Sequence, residues 1–177
     1  MKLRRLDLTV GLIFALAGCS SSNTASTNST STSARTTASE SHCATAQLEA
    51  KLGEPQGTTG TTKYSLNLSN TSTSTCTIQG YAGVTFVAGD DNHPIGHAAD
   101  QDTGPLPTIT LSPGQTASAI LGIEDPANLP ADCDATPPGG LRVSPPDQSA
   151  SLVIDPAGIA CANPKYTTLH IGPFHNA

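Results

Sequence analysis

The sequence predicts an all-β fold, an antiparallel β-sandwich, on three observations. From about Ser41 onward short apolar runs recur at near-regular spacing. Clusters of Gly, Pro, Asp and Asn separate them. No segment sustains a helical period.

The elements follow in order. Tyr64, Leu66 and Leu68 alternate with Lys63, Ser65 and Asn67, so an extended strand there has one apolar and one polar face. Val84 to Ala88 is a second strand, closed by the turn Gly89-Asp90-Asp91-Asn92. Thr108 to Leu111 and Thr116 to Ile123 flank Ser112-Pro113-Gly114-Gln115. Pro at the second position and Gly at the third is the type II preference, because the third residue needs a positive φ. Leu141 to Ser144 and Ser149 to Ile154 flank Pro145-Pro146-Asp147-Gln148, and Thr167 to Ile171 is the last strand expected.

Ahead of this domain lie two segments of different chemistry. Lys2, Arg4 and Arg5 precede an apolar run from Leu8 to Ala17, the charged head and apolar stretch of a secretory signal. The run is shorter than the roughly 20 residues that cross a bilayer. It ends in Leu16-Ala17-Gly18-Cys19, which resembles the lipobox of bacterial lipoproteins. That resemblance implies cleavage after residue 18 and a lipidated Cys19 (a thioether-linked diacylglycerol, with palmitate-type acyl chains). One acyl chain holds a membrane only marginally, whereas two or more anchor stably. The expected location is the extracytoplasmic face of the cell membrane.

Residues 19–41 form the second segment. Between Ser20 and Ser41, 15 of 22 residues are Ser or Thr, and the only apolar side chains are Ala25, Ala34 and Ala38. Such a tract cannot bury enough surface to offset its ordering entropy, so a disordered tether with a root-mean-square span of about 25 Å is expected. It either carries O-glycans or stands as a bare spacer. The β-sandwich then occupies residues 42–177, where all the prolines fall.

Cleavage would remove Lys2, Arg4, Arg5 and Asp7, leaving five basic and 13 acidic residues, a net charge near −8. Nucleic-acid binding needs clustered Lys and Arg, so it is excluded as an expectation. Attraction to anionic headgroups is excluded for the same reason. Attachment to the membrane rests on the lipid at Cys19.

Four cysteines remain: Cys43, Cys76, Cys133 and Cys161. An even number in an exported domain argues for two disulfides, and four cysteines allow three pairings. Sequential pairing, Cys43 with Cys76 and Cys133 with Cys161, is the expectation. No Cys-x-x-Cys spacing supports a zinc site instead. The mature chain has no Trp and five aromatics, Tyr64, Tyr81, Phe86, Tyr166 and Phe174, so its core is thin in the side chains that bury most area.

The stretch from Leu68 to Val84, LSNTSTSTCTIQGYAGV, is followed by LSPGQ (Leu111 to Gln115), LRVSPP (Leu141 to Pro146) and a final Cys161. Together they resemble the actinobacterial secreted and lipoprotein domains called domain of unknown function 4232, over most of residues 43–172. The Asn-Thr-Ser run into Cys76 and then Gly80-Tyr81 is the most specific part. Members often carry Pro where this chain has Ala82. The resemblance implies an Ig-like β-sandwich with two disulfides and an envelope location, and it brings no catalytic residues.

His93 and His97 are four apart, near Asp90, Asp91, Asp100 and Asp102. On a helix they would share a face for a metal, but Pro94 and Gly96 intervene. In a strand they would stand about 13 Å apart. A solvated polar hairpin is expected, with an exported metal-binding protein using His93, His97 and nearby acids as the alternative. No Gly-x-Ser-x-Gly elbow occurs. Glu124-Asp125 and Asp132/Asp134, flanked by Pro126 and Pro130, read as loop acids rather than a catalytic carboxylate pair. No EF-hand spacing marks a calcium loop. No cofactor, resident metal or enzymatic activity is expected. The function expected is that of a membrane-anchored envelope lipoprotein whose sandwich presents loops to a protein, glycan or lipid partner.

Closing loops of about 30 residues stabilises a domain by roughly 3.5 kcal/mol per disulfide, against a usual total of 5–15 kcal/mol. Reduction of both bridges is therefore expected to unfold the domain. Far-ultraviolet circular dichroism with and without reductant checks this, and an unchanged thermal midpoint would count against it.

Overall fold

The computed structural model describes residues 41–89 and 91–177. The segment expected to be a signal, the expected lipidation site Cys19 and the expected tether through residue 40 lie outside the described residues, as does Asp90. The described chain is an all-β sandwich with two disulfides. Its strands are, from the N-terminal side, β1 (Leu48–Leu52), β2 (Gln56–Thr58), β3 (Thr61–Asn70), β4 (Cys76–Ile78) and β5 (Gly83–Val87). Next come β6 (Pro94–Ile95), β7 (Asp100–Gln101), β8 (Ile109–Leu111), β9 (Thr116–Glu124) and β10 (Ala135–Thr136). The last are β11 (Gly140–Ser144), β12 (Leu152–Ile154), β13 (Ala160–Cys161), β14 (Leu169–Ile171) and β15 (His175–Asn176).

One sheet runs β1-β3-β9-β14-β7, with β2 also beside β3 and β15 also beside β9. The other runs β12-β11-β5-β6. Two-stranded ribbons join β4 to β8 and β10 to β13. Strand pairing is antiparallel except between β7 and β14.

The long pairing of β3 with β9 is the spine of the first sheet. On its inner face Tyr64 lies opposite Leu121, Leu66 opposite Ala119 and Leu68 opposite Ala117. Setting large against small lets the second sheet interdigitate at interior density. That sheet contributes Phe86 opposite Leu141 and Val84 opposite Val143, all buried. The outer face, Ile120 apart, is polar and self-bonded: Ser69 Oγ and Thr116 Oγ1 are 2.7 Å apart, and Ser118 Oγ donates to Asn67 Oδ1 at 2.5 Å. The period-2 pattern around Tyr64 thus sorts the faces as expected.

Two expected boundaries shift, for visible reasons. Thr167 to Ile171 is not the end of the sheet. β14 covers only Leu121 to Ile123 of β9, and β15 turns back to pair with the stretch left open at Ala117 and Ser118. The run from Ser149 contracts to β12 because the Ala150 carbonyl accepts from Thr45 Oγ1 at 3.2 Å.

A single buried polar side chain organises the end of the sandwich where the described chain begins. Asn70, at the end of β3, is fully buried. Its Nδ2 donates to the carbonyls of Ser74 (2.8 Å) and Leu111 (2.9 Å), and its Oδ1 accepts from Ser72 N (3.0 Å) and Ser72 Oγ (2.8 Å). Its backbone bonds the 112–115 turn, N–H to Gln115 O at 2.9 Å and C=O from Gly114 N at 2.7 Å. Gly114 takes φ 80°, and Gln115 N donates to Ser112 O at 3.0 Å, the features of the expected type II turn. The Ser72–Ser74 loop so fixed delivers Cys76 to Cys43, with Cα atoms 4.9 Å apart. Ser41, placed in the tether by sequence, already accepts from Thr77 N at 3.0 Å.

The second disulfide, Cys133–Cys161, lies at the other end, in the loops that follow the C-terminal end of β9. There Gly96 takes φ 67°, and a Cβ on it would overlap the Cys161 carbonyl oxygen, so the position admits only glycine.

Asn70→Ala would take the Nδ2 donor from the buried Leu111 carbonyl and the Oδ1 acceptor from the Ser72 N–H, while the Ser74 carbonyl keeps its bond from Ser72 Oγ. It is expected to lower the unfolding free energy by about 3 kcal/mol. Asn70→Asp, which sets an acceptor against two carbonyl oxygens, is expected to cost at least as much. Urea denaturation of the disulfide-intact protein checks both, and a wild-type midpoint for Asn70→Ala would refute the role given to this side chain.

Candidate functional site

The sandwich leaves a concavity where the two sheets part at one flank. β1 is the edge of the first sheet and β12 the edge of the second. Between them lies an open groove of about 690 Å³, walled by Ala50, Leu52, Tyr64, Val153, Ile154 and Pro156. Lys51 and Asp155 stand on its lining as opposite charges. Val153 is 50% exposed, unusual for a large apolar side chain on a strand. The groove wall thus mixes aliphatic and aromatic side chains with polar surface, and it is open enough to take a side of an extended chain.

The sequence-derived residues fall elsewhere. His93 lines a second hollow of about 430 Å³ with Gly89, Pro94 and Thr136. Its Nδ1 is 2.6 Å from Asp91 Oδ1, and its backbone N–H donates to the same oxygen at 3.2 Å. His97 turns to other partners: Nδ1 is 2.7 Å from the Ala98 carbonyl, 3.4 Å from Thr167 Oγ1 and 4.0 Å from Asp100. The two imidazoles therefore serve separate loops. Among the described residues, no three His, Cys, Asp or Glu side chains converge as a metal ion requires.

A histidine that sequence spacing does not bring into view completes this edge. The parallel pairing of β7 with β14 sets His170 beside Asp100, and His170 Nδ1 lies 3.9 Å from Asp102. Asp102 is held by its backbone, its N–H donating to Ile171 O at 2.9 Å and its carbonyl accepting from Tyr81 Oη at 2.8 Å. His97, Asp100, Asp102 and His170 thus form two loose His–Asp pairs along one short edge.

Two of the loop acids, Asp125 and Asp132, have structural partners. Asp125 caps the 3-10 turn Pro126–Asn128, accepting from Ala127 N at 2.9 Å. Asp132 accepts from Tyr166 Oη at 2.7 Å, which pushes the tyrosine pKa above its ordinary value.

The Asp91 carboxyl is held below the ordinary carboxylate range, first by the His93 side-chain hydrogen bond and then by the His93 backbone N–H. A depressed carboxylate stabilises the folded turn above its ordinary pKa, and that contribution is lost as the pH falls through the lowered value. His93→Ala is expected to move the Asp91 pKa up towards the ordinary value. Carboxyl-carbon nuclear magnetic resonance titration checks this, and an unmoved Asp91 would show that the imidazole is not the cause.

No curated protein and no solved structure matches the chain. One family profile does. It spans residues 43–175, from the first cysteine of the sandwich to the start of its last strand, and so takes in Asn70, both disulfides and the 112–115 turn. With about three quarters of its length so matched, the chain belongs to the family described as Domain of unknown function (DUF4232).

Proposed function

We propose that the protein is a lipid-anchored envelope lipoprotein whose β-sandwich is a non-enzymatic binding or structural module. The observation that carries this reading is Cys19, at the end of Leu16-Ala17-Gly18 and directly after an apolar run too short to span a bilayer. The two disulfides support it, because such bridges persist in oxidising compartments outside the cytosol. The Ser/Thr-rich residues 20–41 supply reach between anchor and domain.

The sandwich supports binding rather than chemistry through what its concave surface offers. The flank groove presents aliphatic and aromatic wall beside Lys51 and Asp155 to a partner, and Asp125 and Asp132 are engaged in a cap and a tyrosine hydrogen bond. A protein, glycan or lipid of the envelope is the partner class. The strongly acidic mature chain disfavours nucleic acid.

Cys19→Ser is expected to abolish fatty-acid labelling and to move the protein from the membrane fraction to the soluble fraction. The N-terminal peptide of the native protein is expected to begin at Cys19 with the added mass of a diacylglycerol and an acyl chain. A Cys19→Ser form that still sedimented with membranes would overturn the anchor.

A further inference from the structure

We propose that the open edge of β1 is a self-association surface, and that its occupant is β1 of a second copy of this chain, antiparallel about a two-fold axis through Ala50. The inference is independent of the anchor.

The register of β1 against β3 fixes which backbone groups face outward. Gln47 O accepts from Thr71 N and Gly53 N donates to Ser65 O, both at 2.8 Å, and Glu49 and Lys51 pair with Ser69 and Asn67 in the same register. Antiparallel ladders alternate hydrogen-bonded and non-bonded pairs. The odd-numbered residues therefore bond to β3, and the N–H and C=O of Ala50 and Leu52 point to the open side. β1 is the longest of the edge strands of the two sheets, and β3 is its only strand partner among the described residues. Such a row of unpaired groups is a template for another strand.

The side chains select which strand. Leu48-Glu49-Ala50-Lys51-Leu52 reads as its own charge complement when reversed about Ala50. Two copies paired antiparallel through Ala50 set Glu49 of each opposite Lys51 of the other, on the outer face where both are exposed. Leu48 of each then meets Leu52 of the other on the inner face. Ala50 exchanges both backbone bonds with its mate, and the Leu52 N–H reaches the Leu48 carbonyl of the second copy. Moving the axis to Glu49 or to Lys51 would put like charges directly opposite each other. A parallel in-register pairing would do the same at both positions. Only one arrangement satisfies the charges.

Within one copy Lys51 Nζ already lies 2.9 Å from Glu49 Oε1, so pairing exchanges one ion pair for another. The charges therefore fix register and partner, while the backbone bonds and the covered groove supply the affinity. The groove runs along β1, with Leu52 and Tyr64 on its near wall, so the two grooves would adjoin across the axis.

The test is sedimentation equilibrium of the full chain, disulfides intact, in a density-matched detergent over a wide range of concentrations. The wild type is expected to show a reversible monomer–dimer equilibrium. Glu49→Lys alone and Lys51→Glu alone each set like charges opposite one another twice, and each is expected to raise the dimer dissociation constant about tenfold. An equimolar mixture of the two single variants restores complementarity and is expected to form the heterodimer. The double variant Glu49→Lys/Lys51→Glu is expected to regain the wild-type constant. Both side chains are exposed, and circular dichroism verifies that each variant is folded. A monomer at every concentration overturns the proposal, as does a dimer indifferent to the single reversals or a mixture that fails to pair.

Discussion

The fold depends on one buried amide finding all its partners. Asn70 sits at the end of the longest strand, with no exposed surface and four side-chain hydrogen bonds. A buried polar group stabilises only where it is satisfied, so its net worth over water is modest while its loss is expensive. The asymmetry makes Asn70 a register pin. A one-residue slip of β3 would send Leu66 and Leu68 to the solvent face and would also strip the amide of Ser72, Ser74 and Leu111 together. The two penalties fall on the same wrong states, so one alignment is left.

Such a pin matters more here than in a core rich in aromatics. The interior is mainly Leu, Ile, Val and Ala, with Phe86 and Phe174 as its fully buried aromatic rings. Aliphatic packing of this kind is tolerant of exchange and specifies a unique arrangement weakly. Specificity is supplied from the ends instead. Near the start of the described chain, Asn70 shapes the loop that brings Cys76 to Cys43. At the opposite end, Cys133–Cys161 ties the loop after β9 to β13, and Gly96 lets the chain pass against the Cys161 carbonyl. The nine-residue pairing of β3 with β9 lies between these two constraints.

The parts of this arrangement that were legible in sequence are local. The alternation through Tyr64, Leu66 and Leu68 and the Pro113-Gly114 turn each depend on residues within a few positions of one another. What escaped depends on distant partners. Leu-Glu-Ala-Lys-Leu is composed largely of good helix formers, yet it is strand β1, because five residues cannot sustain a helix and β3 offers a ladder. His170 is paired with Asp102 through a parallel crossover that no spacing rule reveals. His93 and His97, close in sequence, serve different loops because Pro94 and Ile95 are drawn into pairing with β5 between them. The Asn-Thr-Ser run was visible as a motif, but its reason, an amide closing over three carbonyl- and hydroxyl-bearing neighbours, is a fact of the folded chain alone.

The edges of the two sheets show what this economy leaves over. β6 is two residues long and begins with Pro94, which has no N–H to offer a neighbour. β7 is also two residues long, and Asp100 within it and Asp102 just after it lie near His97 and His170. β12 has three residues and Val153 exposed at its centre. Short, proline-bearing or charged edges are the usual means by which sandwiches avoid pairing with strangers. β1 departs from that rule in length, and its charges do not simply repel. They are placed so that a slipped, parallel or foreign strand meets a mismatch while its own reversed copy does not. An edge left this long in an otherwise guarded sandwich is coherent physically if the charges choose the partner that the backbone would otherwise accept without discrimination.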